Sequence, residues 1–171
     1  MEKLEKYTEA EWEIISATPQ LVGVAMAGAG SSGIFGSSKE MFASARGMMA
    51  AKKEYEGNAL IQAILPDTTS ASKAMEDAKA QRKIVMGRFK ASGAKSSEEL
   101  RTFVLEDCTK AIEILERNEA AEVVEGYKKM VLELAEKVAN AAKEGDFLGF
   151  GGERFSEKEQ QLFAELKNKL N

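Results

Sequence analysis

Histidine is absent from the 171 residues, cysteine occurs once, at Cys108, and proline only twice, at Pro19 and Pro66. Without histidine there is no Ser-His or Cys-His nucleophile pair, no two-His-one-carboxylate iron site and no Glu-x-x-His motif of the di-iron bundles. A lone cysteine cannot close an internal disulfide, which fits a reducing compartment. Basic excess is missing too. The formal net charge of −4 and pI near 5.2 give no broad attraction to phosphate backbones or anionic lipid heads, so nucleic acid is not expected as a partner. Met1 to Lys6 mixes both signs and is followed by no apolar core, which argues against a secretory signal and for a cytoplasmic protein.

What is present is one long uncharged stretch. Ile14 to Ser38 runs for 25 residues without a formal charge, in a chain where 30% of residues are charged. Its centre, Pro19 to Gly28, reads as a short helix apolar on every side, and such a helix is normally enclosed by other elements. A spanning helix needs roughly 20 mostly apolar residues. Here Thr18-Pro19 and five glycines fragment the run, so a membrane span is not expected. The stretch is taken instead as the hub of the fold, with Gly28 to Gly36 as a glycine-rich connection.

Around the hub the chain is punctuated by helix starts. Thr8 with Glu11, Ser37 with Glu40, Ser96 with Glu99 and Ser156 with Glu159 each match the capping box, in which hydroxyl and carboxylate satisfy orphan backbone donors reciprocally. The first helix, with Trp12 and Ile15 inward, is expected to end or kink at Thr18, because proline disfavours helical backbone in the residue before it. A helix after Ser37 carries Met41, Phe42, Ala45, Met48 and Met49, and Ala59 to Leu65 either continues it or forms a separate turn. Ala71, Met75, Ala78, Arg82, Val85 and Phe89 suggest an inward stripe interrupted by one arginine. Leu100, Val104, Cys108, Ala111 and Leu115 form the next stripe, and Val124, Tyr127, Val131, Leu134, Val138 and Ala141 the most regular one. Leu162, Phe163, Leu166 and Leu170 pack the last helix. Sustained strand-like alternation is lacking. The expectation is an all-α, antiparallel helical bundle of about six or seven helices around a short buried apolar helix, forming a single domain over 1–171 that buries about two-thirds of its unfolded surface.

Chemistry is sparse in this pattern. Cys108 lies mid-helix on an apolar stripe beside Asp107, the setting of a small buried hydrophobe rather than a low-pKa nucleophile. Gly28 to Lys39 fails the phosphate-loop spacing, since Ile34 follows Gly33 where a lysine is required. Asp146 to Glu159 fails the calcium-loop pattern, with Leu148 and Phe150 where oxygen ligands belong. Glu98-Glu99, Glu106-Asp107 and Glu122-Glu125 read as solvated helix faces interspersed with cations. Met41, Met48, Met49, Met75, Met86 and Met130 read mostly as core fillers, with an exposed adaptable face as the alternative. No catalytic, metal or cofactor-binding residue emerges. The candidate contact patch is Phe147, Leu148, Phe150 and Phe155, which either seal the open end of the bundle, the favoured reading, or face outward; a self-association surface satisfies both.

Two stretches carry a resemblance. Glu11-Trp12-x-x-Ile15, Thr18-Pro19-Gln20-Leu21-Val22-Gly23 and Gly30-Ser31-Ser32-Gly33-x-x-Gly36-x-x-Lys39-Glu40 at the front resemble a family of small uncharacterised prokaryotic all-helical proteins. So does the tail, Lys137-Val138-Ala139-x-Ala141-Ala142-Lys143-Glu144-Gly145-x-Phe147-Leu148-Gly149-Phe150-Gly151-Gly152 with Ser156-Glu157-x-Glu159. The tail is also similar to the tellurite-resistance TerB-like helical proteins, which have an acidic loop before a Ser-x-x-Glu helix start. Gly151-Gly152 and aromatics replace those acids here, so no metal set carries over. The resemblance implies a cytoplasmic prokaryotic setting and assigns no activity. The functional expectation is a non-enzymatic helical-bundle protein acting through association, as a homo-oligomer or with a protein partner. The alternative is a binder of a small apolar or amphipathic ligand between helices.

Overall fold

The computed structural model describes residues 3–29, 38–141 and 156–170, and among these it contains seven helices and no strand. They are α1 (Glu9–Ala29), α2 (Ser38–Glu54), α3 (Ala59–Ile64), α4 (Ala71–Ser92), α5 (Ser97–Asn118), α6 (Ala121–Ala141) and α7 (Glu157–Leu170). The all-α helical bundle expected from the sequence is what forms.

The hub is real, but it is not a separate short helix. α1 runs unbroken through Pro19 and packs against α2, α4, α5, α6 and α7, burying Trp12, Ile15, Leu21, Val22 and Met26. Full burial of each large apolar side chain contributes about 1.5–3 kcal/mol, which explains why five neighbours gather on this one element. The end expected at Thr18 is absent because the groups that proline disturbs find other partners. Pro19 cannot donate to the Ile15 carbonyl, and the Tyr127 hydroxyl does so instead, at 2.8 Å. The Gln81 side-chain amide donates to the next carbonyl, Ser16, at 3.2 Å.

The periodic stripes of α5, α6 and α7 hold. Leu100, Val104, Cys108, Ala111 and Leu115 are buried, as are Val124, Tyr127, Val131, Leu134 and Val138, and Leu162, Leu166 and Leu170. The reciprocal capping boxes close at Thr8/Glu11 and Ser156/Glu159. At Ser96 the hydroxyl accepts from the Glu99 amide, whereas the Glu99 carboxylate takes the Lys95 N–H, one residue earlier than the motif implies. The box at Ser37 lies outside the described residues.

Residues 38–64 form two helices rather than one. Asn58 caps α3 by accepting from the Ile61 amide. Across the corner, the Gln62 amide donates to the carbonyls of Lys52 and Tyr55 while the Lys52 ammonium donates to those of Gln62 and Leu65. These bonds satisfy helix-end groups that would otherwise need water. α4 ends at Gly93, whose φ of +64° is the left-handed conformation that favours glycine at a helix terminus.

Candidate functional surface

α4 is the helix whose orientation departs most from its apolar pattern. Of the inward stripe expected from Ala71 to Phe89, Ala71, Met75, Ala78 and Arg82 are exposed, whereas Val85 is buried and Phe89 half-buried as expected; the other buried positions are Asp77 and Gln81. The reason is that polar groups hold the first half of α4 inward, while Val85, with Ile84 and Phe89 beside it, packs the second half against the core. Asp77 accepts from the Asp67 amide at 2.9 Å and pairs with Lys73 at 3.3 Å, and Gln81 reaches the Ser16 carbonyl in the centre of α1. Burial alone would raise the Asp77 carboxyl; the Asp67 amide and the Lys73 ammonium are among the groups that hold it down to about 2.

About two turns beyond Gln81, Arg88 forms a bidentate pair with Asp107 of α5, with nitrogen–oxygen distances of 2.6 Å and 3.2 Å, and lies over the Phe103 ring. Asp107 is 0% exposed, which overturns its reading as part of a solvated acidic face. A carboxylate can be buried this way only because the guanidinium fork meets both of its oxygens.

With that side turned inward, the opposite side of α4 faces out. Met75 is 73% exposed and Met86 37% exposed. Eleven residues make almost three whole turns, so the two thioethers share one azimuth about 16 Å apart along the axis. Lys79, Arg82, Lys83 and Lys90 are exposed around them. α4 carries six cations against two acids, a net +4 within a chain of −4. Lys73 is drawn to Asp77 and Glu76, and Arg88 to Asp107, but Lys79, Arg82, Lys83 and Lys90 form no ion pair among the described residues. Met49 on α2 is also 65% exposed, so the reading of the methionines as mostly core fillers fails at Met49, Met75 and Met86, while Met130 is buried and Met48 half-buried; the side chain of Met41 lies outside those described.

A second surface feature is an open cleft of about 690 Å³ between α5 and α7, lined among others by Glu98, Arg101, Glu106, Lys110, Glu113 and Glu165. Two ion pairs form within the cleft: Arg101 grips Glu165 through two bonds of 2.8 Å and 2.7 Å, and Lys110 faces Glu106 at 3.6 Å. The Arg101 guanidinium holds the Glu165 carboxyl below the usual range, which keeps it ionised and unsuited to donating a proton near neutrality. In the interior, a gap beside Pro19, Gly47, Met48, Ala51, Met130 and Leu134 measures about 10 Å³, the lower limit for a single water.

Cys108 is fully buried, and burial with the neighbouring Asp107 pushes its thiol up to about 12, so the structural reading of this residue holds. Among the described residues no three His, Cys, Asp or Glu side chains group closely enough to hold a metal ion, and no helix is long and apolar enough to cross a membrane. The candidate patch Phe147, Leu148, Phe150 and Phe155 lies outside the described residues. The outer face of α4 went unrecognised in the sequence, although the net charge of that helix and the eleven-residue spacing of its methionines were both available signals. Comparison with protein-family models, curated proteins and solved structures found no match to this chain.

Proposed function

We propose that this chain is a non-enzymatic helical-bundle protein of the prokaryotic cytoplasm that acts through association, with a second copy or with another macromolecular surface. The observation that carries this reading is the outward placement of Met49 and Met75, large flexible apolar side chains left in water on a molecule whose core positions are otherwise filled. Thioether side chains adapt to irregular contacts, which is why they recur on binding surfaces. The unmatched cations of α4 add a charge signature to one of these exposed sites.

Size-exclusion chromatography with light scattering, run from low to high micromolar concentration, tests self-association. A mass rising above 18.6 kDa supports it. A strict monomer throughout the range, together with no binding to any of the surfaces tested below, rejects the association reading.

A further inference from the structure

We propose that the outer face of α4 docks on an anionic lipid bilayer, with Met75 and Met86 entering the headgroup layer and Lys79, Arg82, Lys83 and Lys90 meeting the phosphates around them. The inference deepens the association reading by naming the surface that α4 meets, and it rests on that reading.

Charge complementarity comes first. Four cations that form no ion pair among the described residues lie along one exposed helix side. Clusters of four to eight Lys and Arg on an amphipathic helix attract anionic headgroups, and the attraction decays within a Debye length of about 8–10 Å. That short range is what lets a basic face act on a chain of net −4: acids elsewhere on the bundle are screened from it. The acid on this side of the helix, Glu76, already faces Lys73 at 3.6 Å.

Arrangement is the second argument. The two thioethers share one line along the exposed face, with Arg82 to one side and Lys79, Lys83 and Lys90, nearer the outward pole of the helix, to the other, as 100° per residue dictates. An interfacial helix has this layout, with apolar side chains pointing down and long cationic side chains reaching sideways to the phosphates.

The third argument concerns competing occupants. A two-fold contact between copies through this face would set Lys79 and Lys83 against their own equivalents, a like-charge meeting that opposes assembly. Protein interfaces are in general depleted in lysine, whereas this face has three. Tethering also suits the role: α4 is fastened inward by Asp77, Gln81 and Arg88, so its outer side can bear a load without the helix leaving the bundle.

The test is co-sedimentation of the full chain with vesicles of equal parts phosphatidylglycerol and phosphatidylcholine, against vesicles of phosphatidylcholine alone. Binding to the anionic vesicles only is expected, and it should vanish near 1 M salt, where the Debye length is about 3 Å. Combining Lys79→Glu and Lys83→Glu should weaken binding by at least about 25-fold, roughly fivefold for each cation removed. Both sites are exposed, so the variant's helical circular dichroism should match the parent. Met75→Ser with Met86→Ser should weaken binding several-fold while leaving the salt dependence in place. Failure to sediment with anionic vesicles at low salt, equal binding by the charge-reversed variant, or tighter binding to inorganic polyphosphate in solution than to vesicles would each overturn the proposal. A chain that oligomerises in solution yet ignores the vesicles leaves the association reading standing and removes the lipid.

Discussion

The hydroxyl of Tyr127 donates a 2.8 Å hydrogen bond to the carbonyl of Ile15, the acceptor that Pro19 strips of its helical donor. Two residues 112 positions apart in sequence therefore meet at the point where α1 lacks a hydrogen bond of its own. The phenol is fully buried, and burial raises its pKa well above the ordinary value, so it is a donor at neutral pH.

Tyr127→Phe keeps the ring and leaves the Ile15 carbonyl short of a partner in the core. A loss of about 1–3 kcal/mol is expected in urea unfolding. In a Pro19→Ala background residue 19 regains an N–H for the same carbonyl, so the cost of Tyr127→Phe should shrink. A double-mutant cycle reads this as a coupling of at least about 0.5 kcal/mol, and strict additivity would refute the link.

The Arg88–Asp107 pair makes a second prediction. Arg88→Ala strands a fully buried carboxylate, and a loss near 3 kcal/mol is expected. Replacing both members, Arg88→Met with Asp107→Leu, removes the charge that needs solvation. The double variant should therefore be more stable than Arg88→Ala alone, by urea midpoint at unchanged slope.

Helix glycines separate into two kinds. A methyl at Gly87, on the exposed side of α4, meets nothing within 4 Å, and Gly87→Ala should stabilise by up to about 1 kcal/mol through helix propensity. At Gly126 the same methyl would sit 2.6 Å from Asn58 Nδ2, which is bonded to the Val123 carbonyl while its Oδ1 caps α3. Gly126→Ala should forfeit that cap and gain nothing over the parent. In an Asn58→Ala background, already lacking the cap, the same substitution should turn stabilising; thermal melts of the four proteins decide it.

These residues also show where sequence reading works and where it stops. The α6 stripe and the Thr8/Glu11 and Ser156/Glu159 boxes were legible because each is local: apolar spacing fixes a helix face, and a capping pair spans three residues. Pro19 was misread because its remedy, Tyr127, lies far along the chain. The first half of α4 was misread because its inner side is polar. A rule that sends methionine in and aspartate out must fail where Asp77 and Gln81 are the buried residues, held by backbone groups of other elements. Asp107 was assigned to solvent for the same reason, its partner Arg88 being invisible to periodicity. The exposed α4 face follows from that inversion, and so could be described only once the helix was oriented.

Asp77 gives the pH dependence of this polar fastening. Its folded pKa is about 2 against an ordinary 3.8, so the carboxylate favours the folded state at and above pH 4. As pH falls from about 4 toward 2 the unfolded chain takes up the proton first, and that stabilisation is progressively lost. Asp77→Asn should lower stability at pH 7, by at most about 2 kcal/mol, and flatten the difference between pH 4 and pH 2. Glu11 and Glu165, also depressed, titrate in both proteins and cancel in the comparison; Asp67, depressed chiefly by the Thr69 amide, feels the Asp77 charge and is depressed further once that charge is removed. Urea midpoints measured at half-unit pH steps resolve the two curves, and parallel curves would mean that the ionised Asp77 does not help to hold α4 in place.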